Sequence, residues 1–465
     1  MRRYDCVVIG SGPAGQKAAI QGAKLGKRVA VIEKTNVLGG ATVNTGTIPS
    51  KALREAVMHL TGHGKRALFG ESYRVKRNIT ISDLIYVSQQ VIHHELEMIR
   101  DHFERNGIDV VWGRATFHDP NTVRVDRPED SELLGGDKFI IATGSRPARP
   151  ASVPFNDKTV FCSDSVLKLE KLPKTMIVVG GGVIGTEYAC MMATLGVRIT
   201  MIEGRNELLG FLDREIAESL HYQLRRMGVT LRLGEKVEKI ELLANGNGGT
   251  VQTTLGSGKA LQAETLLFAV GRQGTTALLG LESIGIHADD RERLKVNEHF
   301  QTELPHVYAV GDVVGFPALA STSMEQGRLA ACHAFGAPTS SVPELFPYGV
   351  YSVPEISMVG KTEGQLTEAG IPYEAGIAQY KEIARGQLLG DDIGMLKLLI
   401  HQDNHQILGV HAIGTGATEL IHIGQAVMAF KGTVDYFINS VFNFPTLAEA
   451  YKVAALNGLN KLRHI

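Results

Sequence analysis

Cysteine is scarce in this chain, and no two cysteines lie close together. Only four are present among 465 residues, at Cys6, Cys162, Cys190 and Cys332, and no C-x-x-C pair occurs. Disulfide scaffolds and zinc sites both need closely spaced thiols, so this distribution argues against either. We therefore expect four isolated, buried thiols and no metal site.

Long apolar runs and a surplus of one charge are also missing. No segment has the roughly 18 apolar residues that a membrane-spanning helix needs, and the N-terminal arginines lead into a strand pattern without the apolar core of a signal peptide. The 48 Lys and Arg residues are balanced by 49 Asp and Glu residues, which leaves no basic surface for nucleic acid. We expect a cytoplasmic protein that binds neither membrane nor nucleic acid. Several domains are expected because the length exceeds that of one core.

Glycine, in contrast, is abundant, and one glycine cluster has the spacing of a nucleotide-binding turn. Residues 10–15 read G-S-G-P-A-G between a strand pattern at residues 4–9 and a helical pattern at residues 16–25, and a second strand pattern ends at Glu33. In this context the motif is typical of a dinucleotide-binding βαβ unit, in which the backbone approaches a pyrophosphate and the acid accepts hydrogen bonds from a ribose. A plain glycine-rich turn is the less favoured alternative.

The same arrangement recurs later in the chain. Residues 180–185 read G-G-G-V-I-G after a strand pattern, and the first glycine, the last glycine and the acid Glu203 each stand 170 positions after their counterparts in the first unit. This internal repeat predicts two dinucleotide sites, one for a tightly held cofactor and one for an exchanging cofactor. Residues 52–105, between the two units, have a helical pattern.

The acid of the second unit has a basic residue beside it. A carboxylate at Glu203 favours the 2′-hydroxyl of NAD, whereas Arg205, two residues later, is able to attract the 2′-phosphate of NADP. The pair predicts a site that accepts both nucleotides. The alternative is that Arg205 is only an exposed loop charge.

The loop at residues 38–51, L-G-G-A-T-V-N-T-G-T-I-P-S-K, resembles the redox-active loop of the flavoprotein disulfide reductases, G-G-x-C-x-x-x-x-C-I-P-S-K. The A-T-G-S-x-P run at residues 142–147, the strand pattern at residues 307–312 and the V-P-E run at residues 353–355 match further motifs of that family in the same order. The resemblance implies an α/β fold with two Rossmann-like domains, for FAD and NAD(P), and a C-terminal α+β dimerisation domain. It also implies a homodimer, with higher assembly left open.

The resemblance further implies domain bounds and binding residues. The FAD domain would comprise residues 1–150 and 276–345, the NAD(P) domain residues 151–275, and the dimer-interface domain residues 346–465. The implied FAD-binding residues are Gly10, Gly12, Pro13, Ala14, Gly15, Glu33, Lys34, Gly40, Ala41, Thr42, Lys51, Ala115, Thr143, Gly144, Ser145, Arg146, Gly311 and Asp312. The implied NAD(P)-binding residues are Gly180, Gly182, Val183, Ile184, Gly185, Glu203, Arg205, Val270 and Gly271.

The chain departs from the family pattern at three positions that serve thiol chemistry. Thr42 and Thr47 stand at the two cysteine positions, and Phe444 stands at the position of the catalytic histidine. Threonine cannot form a disulfide and phenylalanine cannot exchange a proton. Lys51 and Glu187 remain, and the family places them as an ion pair whose ammonium lies near flavin N5, where it would stabilise negative charge. The alternative is a purely structural ion pair.

These departures predict a flavin whose electrons do not leave through a disulfide. The expected reaction is FAD-dependent hydride transfer between NADPH and NAD⁺ by a ping-pong mechanism, with both nucleotides using one site. The alternatives are an NAD(P)H oxidase or quinone reductase (diaphorase), and a flavoprotein without turnover.

Overall fold

The first sheet is built around the N-terminal strand. The computed structural model describes residues 1–243, 249–339 and 345–462. The parallel strands run in the order β3-β2-β1-β6-β17; β5 pairs antiparallel with β6, and β4 pairs antiparallel with β5. The elements up to the first crossover are β1 (Arg2–Ile9), α1 (Pro13–Lys24), β2 (Val29–Glu33), α2 (Gly40–Asn44), α3 (Thr47–Thr61), α4 (Arg66–Phe69), α5 (Ile81–Arg105), β3 (Asp109–Trp112), β4 (Arg114–Asp119), β5 (Thr122–Asp126), β6 (Ser131–Ile141) and β7 (Ser145–Pro147).

The second sheet repeats the parallel order of the first. Its strands run β11-β10-β9-β15-β8, all parallel, and a three-stranded antiparallel sheet of β12, β13 and β14 is inserted before β15. The elements are β8 (Val160–Cys162), β9 (Thr175–Val179), α6 (Val183–Thr194), β10 (Arg198–Glu203), α7 (Arg214–Arg226), β11 (Thr230–Leu233), β12 (Val237–Leu243), β13 (Thr250–Leu255), β14 (Ala260–Ala263), β15 (Thr265–Phe268) and β16 (Arg272–Gly274). Antiparallel pairing of β7 with β16 links the two crossovers.

The chain then returns to the first sheet through β17 (Val307–Ala309) and α8 (Ala320–Ala334), which packs on α1. A five-stranded antiparallel sheet of order β18-β19-β22-β21-β20 follows. The remaining elements are β18 (Tyr348–Val350), β19 (Ile356–Gly360), α9 (Glu363–Glu368), β20 (Tyr373–Gln379), α10 (Ala384–Leu389), β21 (Met395–His401), β22 (Ile407–Ile413), α11 (Ala417–Ala429), α12 (Val434–Asn439) and α13 (Glu449–Leu462). The predicted α/β class with two Rossmann-like units and a C-terminal α+β domain is confirmed.

The helical prediction for residues 52–105 is wrong in its middle. α3 ends at Gly62, which has a φ of 62° in the left-handed region that glycine adopts without strain. α5 begins only at Ile81, where Thr80 and Asp83 form a capping box. The intervening segment holds only a 3₁₀ turn and α4, because glycines and caps interrupt the helical pattern.

The four cysteines are buried and unpaired, as their spacing predicts. Within the described ranges, no helix combines the length and the apolar character required to cross a bilayer.

A buried ion cluster joins the C-terminal domain to the second sheet. Lys397 on β21 is completely buried, and its Nζ atom lies 2.8 Å from Asp213, 2.9 Å from Glu215 and 2.7 Å from Glu363. Asp213 caps α7 and also accepts a hydrogen bond from the backbone N–H of Glu363. The three carboxylates lie close enough together to suggest a cation site, and the ammonium of Lys397 supplies that cation.

Candidate functional site

The two glycine-rich turns have almost the same backbone geometry. Gly10 and Gly180 both have a φ of 107°. A Cβ atom on Gly10 would lie 2.4 Å from the carbonyl oxygen of Ala142, and one on Gly180 would lie 2.5 Å from that of Ala269. A Cβ atom on Gly15 or Gly185 would lie 1.9 Å or 2.0 Å from the carbonyl oxygen of the first glycine in its own turn. None of these four positions accepts a side chain, so the repeat in the sequence reflects two strand-to-helix turns of closely similar backbone geometry.

Each turn is tied to the acid at the end of the following strand. Glu33 accepts hydrogen bonds from the backbone N–H of Ser11 (3.1 Å) and from its hydroxyl (2.6 Å). Glu203 accepts a hydrogen bond from the backbone N–H of Gly181 at 2.6 Å. A second backbone donor follows two residues after each acid, from Thr35 to Glu33 and from Arg205 to Glu203, both at 2.9 Å. The sequence predicted the acids but not these locking contacts.

A cavity of about 510 Å³ opens at the carboxyl ends of the first sheet. This size falls in the range of cofactor sites. Of the eighteen predicted FAD-binding residues, all line it except Gly15, which packs inside the turn, and Lys51. The N-terminus of α1 lies at this cavity, an arrangement that favours an anionic pyrophosphate.

The residues of the cavity fit a dinucleotide. The Oγ1 atom of Thr143 is buried at the cavity wall without a hydrogen-bond partner in the described structure, as expected of a group reserved for a ligand. A Cβ atom on Gly40 would lie 2.9 Å from the Cα atom of Gly12, so two backbone segments meet there and leave the space beside them free of side chains. Asp312, which accepts a hydrogen bond from Ser145 at 2.6 Å, also lines the cavity.

Lys51 and Glu187 form an ion pair between the domain that contains the first sheet and the domain that contains the second. The Nζ atom of Lys51 on α3 lies 2.7 Å from Oε2 of Glu187 on α6, and the carboxylate is almost completely buried. The other oxygen of Glu187 accepts a hydrogen bond from the backbone N–H of Tyr351 (2.8 Å), and the Lys51 ammonium lies 5.0 Å from the centre of the Tyr351 ring. Three parts of the chain therefore meet at this pair: α3 supplies Lys51, α6 supplies Glu187, and the C-terminal domain supplies Tyr351.

The three departures from the thiol pattern lie in different surroundings. Thr42 lines the cavity, whereas Thr47 is exposed at the start of α3. No cysteine lines the cavity within the described part of the chain. Phe444 is 73% exposed. Glu449, five residues after Phe444, keeps one carboxylate oxygen buried without a hydrogen-bond partner in the described structure.

The predicted NAD(P) residues gather around the second turn. Gly182 is the N-cap of α6, Val183 and Ile184 open that helix, and Val270 and Gly271 follow β15 at the crossover. Arg205 is mostly exposed and forms an ion pair with Glu203 at 3.1 Å. Burial works to raise the pKa of Glu203, but hydrogen bonds from Arg205 and from the turn outweigh it and hold the pKa below its ordinary value.

Sequence reasoning missed two groups that complete the site. Tyr351 had no local signal, because its backbone N–H meets Glu187 across 164 residues. Arg272 donates hydrogen bonds to the hydroxyl and the carbonyl oxygen of Ser145, both at 2.8 Å, and so fixes the wall beside Asp312. The pairing of β7 with β16 brings them together, and nothing in the local sequence announced it.

Known proteins share this arrangement along the whole chain. Residues 4–327 match the family model described as pyridine nucleotide-disulphide oxidoreductase, and residues 346–455 match the dimerisation domain of the same family. A soluble pyridine nucleotide transhydrogenase of Mycobacterium tuberculosis (strain ATCC 25177 / H37Ra) is 54% identical over 465 residues, covering 100% of this chain and 98% of the relative. A protein of the same name from Pectobacterium atrosepticum is 46% identical over 464 residues, covering 99% and 98%.

Solved structures agree with these sequence relatives. The HOCl-induced flavoprotein disulfide reductase RclA from Escherichia coli superimposes with a TM-score of 0.87 at 29% identity, covering 97% of this chain and 99% of the other. LpdA from Mycobacterium tuberculosis has a TM-score of 0.89 at 24% identity, with coverage of 98% and 99%, and so supports the fold. The resemblance drawn from the sequence motifs is confirmed, and the cofactors of this protein are FAD and NAD(P). The chain belongs to the pyridine nucleotide-disulphide oxidoreductase family.

Proposed function

We propose that this protein is a transhydrogenase that moves hydride between NADPH and NAD⁺ by way of bound FAD in a ping-pong cycle. The observation that carries the proposal is a combination of two features: the Lys51–Glu187 pair is intact, while threonine lines the cavity wall at a cysteine position of the family. The full-length relatives named soluble pyridine nucleotide transhydrogenase support it. On this assignment, FAD is held by the predicted FAD-binding residues, which lie within residues 1–150 and 276–345.

The chain's own groups account for the electrostatic part of the reaction. FAD, when bound in the cavity, supplies a two-electron carrier that accepts and returns hydride. Lys51 places a positive charge where negative charge develops, and such a fixed charge acts strongly because it needs no reorganisation. Glu187 holds this ammonium in place, and Tyr351 holds Glu187. Thr42 has no thiol and cannot form a disulfide, which is the group that accepts electrons in thiol chemistry. In the proposed cycle the reducing equivalents therefore return to a nucleotide.

The second site is suited to two donors in turn. Glu203 is fixed by the backbone of the turn, and Arg205 is held against it by an ion pair that lies largely in solvent. An exposed ion pair is worth little, so a 2′-phosphate competes easily for Arg205. The carboxylate then serves the ribose of NAD⁺, and the guanidinium serves the phosphate of NADPH.

The decisive experiment is anaerobic. The purified holoenzyme is reduced with NADPH, the nucleotide is removed, and thio-NAD⁺ is added while flavin absorbance is followed. Bleaching by NADPH followed by recovery with thio-NAD⁺ is expected. Recovery only with oxygen or a quinone would favour the oxidase or diaphorase reaction, and failure of NADPH to bleach the flavin would favour a flavoprotein without turnover.

We further propose a cytoplasmic homodimer formed through residues 346–465. The dimerisation family model and the word soluble in the names of the relatives support this. Light scattering of the holoenzyme at several concentrations tests the dimer and reports any larger assembly.

Charge at the end of β10 should set nucleotide preference. Glu203→Gln removes the repulsion of a 2′-phosphate and releases Arg205, and it should raise the ratio of kcat/KM for NADPH over NADH by about tenfold, which corresponds to about 1.4 kcal/mol. Steady-state kinetics with both donors measure this ratio. Arg205→Gln is the matched variant and should lower the ratio. An unchanged ratio in both variants would refute the assignment of the pair.

Restoring thiols should not restore disulfide chemistry. Thr42→Cys combined with Thr47→Cys should leave lipoamide reduction at background, because Phe444 has no proton to exchange. The assay is NADH-dependent reduction of lipoamide, with Phe444→His added to the double variant as the comparison. Substantial activity in the double variant alone would show that the histidine is dispensable.

A further inference from the structure

Three aromatic rings from three parts of the molecule meet at the surface. The ring of Tyr348 lies 5.1 Å from that of Phe211 and 6.1 Å from that of Phe316, the latter pair being nearly parallel at 18°. Phe211 belongs to the segment after β10, Phe316 to the segment before α8, and Tyr348 to β18. We call these three residues the aromatic wall. Phe316 is 81% exposed, so a large ring face is held towards water.

Each residue of the wall is close in the chain to a group of the catalytic region. Tyr348 precedes Tyr351 by three residues, and Tyr351 contacts both Glu187 and Lys51. Phe316 follows Asp312, which lines the flavin cavity. Phe211 follows Leu209, whose backbone N–H donates to the carbonyl oxygen of Gly181 in the second turn. The three segments that carry the wall therefore also carry groups that contact the nucleotide turn, the flavin cavity and the ion pair.

The position selects one end of the nucleotide. Glu203 and Arg205 at the end of β10 are suited to the adenosine ribose and its phosphate, so the nicotinamide end points from the turn towards Lys51 and Glu187. Flat rings of nucleotides stack on exposed aromatic faces. Held rings add affinity at low cost because they are already ordered. The packing among the three rings supplies that order.

We propose that the aromatic wall is a stacking surface for the nicotinamide end of the nucleotide as it enters and leaves the site. This inference rests on the proposed function, in which two nicotinamide nucleotides enter and leave the second site in turn. The wall positions the substrate and takes no part in hydride transfer.

The test uses fragments that carry only one end of the nucleotide. In the Phe316→Leu holoenzyme, the concentration of reduced nicotinamide mononucleotide that gives half-maximal flavin reduction should rise about tenfold, the expected loss of one stacked ring. Inhibition by 2′,5′-ADP should be unchanged, since that fragment lacks nicotinamide. FAD content should also be unchanged, because Phe316 does not line the flavin cavity. Phe211→Leu should act in the same direction.

The matched control is Phe430→Leu, a ring that is 89% exposed directly after α11 and that forms no ring pair with the three residues of the wall in the described structure. Both fragments should act on this variant as on the unaltered protein. An unchanged dependence on reduced nicotinamide mononucleotide in Phe316→Leu would overturn the proposal. So would weaker inhibition by 2′,5′-ADP, which would place the adenine end there, or a shifted monomer–dimer equilibrium at unchanged fragment affinity. Flavin reduction by the fragment does not depend on NAD⁺ as acceptor, so failure of the proposed function is seen separately, as reduced flavin that thio-NAD⁺ does not reoxidise.

Discussion

Replacement of Lys51 by methionine should slow flavin reduction by NADPH about 10²- to 10³-fold, the usual cost of removing one fixed group that stabilises developing charge. The side chain keeps its length, but the positive charge beside Glu187 is lost. Anaerobic stopped-flow of the holoenzyme at saturating NADPH measures the rate directly. FAD content should remain normal, because the predicted FAD-binding residues that line the cavity are unchanged in this variant.

Two companion variants separate charge from structure. Lys51→Arg retains the charge and should recover part of the rate, since the larger guanidinium cannot reproduce the single 2.7 Å contact with Glu187. Lys239→Met, which removes a lysine from an exposed pair with Glu241, should leave the rate unchanged. A normal rate in Lys51→Met would show that the ion pair is structural only.

Replacement of Lys397 by methionine should be the most destabilising single change outside the cofactor sites. It leaves the carboxylate of Asp213 buried without its cation, and breaking such a pair costs about 3–5 kcal/mol. Glu215 and Glu363 are partly exposed and can turn towards water, so the cost falls mainly on Asp213. Thermal unfolding of the holoenzyme should begin several degrees lower in the variant.

Two comparisons define this second prediction. Lys239→Met at the exposed pair should change the midpoint little, because surface ion pairs contribute about 0–1 kcal/mol. Adding Asp213→Asn to Lys397→Met removes the orphaned charge and should recover part of the loss. If Lys397→Met unfolds like the unaltered protein, the cluster does not hold the C-terminal domain in place.

The cluster also predicts a dependence on pH. Burial works to raise the pKa of Asp213, but the hydrogen bond from Lys397 outweighs it and holds the pKa below its ordinary value. Such a carboxylate contributes stability that is present above its unfolded pKa of about 3.9 and is lost as the pH falls through the lower folded value. The midpoint of Lys397→Met should therefore fall less steeply below about pH 4 than that of the unaltered protein.

The sequence predicted the parts of this molecule that depend on backbone geometry. A turn that excludes every side chain at Gly15 and Gly185 requires glycine, so both turns and their acids could be read from spacing, whereas the other residues of the cavity wall were implied by the family resemblance. The break after α3 was missed because a left-handed glycine cap and a capping box are weak signals inside a long helical pattern.

Contacts between distant segments could not be predicted in the same way. Lys397 reaches Asp213 across 184 residues, and Tyr351 reaches Glu187 across 164. Neither lysine nor tyrosine is confined to such a role by local physics, since both are ordinary residues for a strand or a loop. The aromatic wall likewise exists only because three segments converge, and no pairwise spacing in the sequence describes it.

The difference between the two turns has a consequence for the rate at which each site releases its bound nucleotide. In the first turn, the hydroxyl of Ser11 donates a hydrogen bond to Glu33 and accepts one from the backbone N–H of Gly39. Both hydrogen bonds are buried. In the second turn, glycine stands at the equivalent place, and the acid shares its charge with a solvent-facing arginine. We therefore expect the first site to release its nucleotide much more slowly than the second.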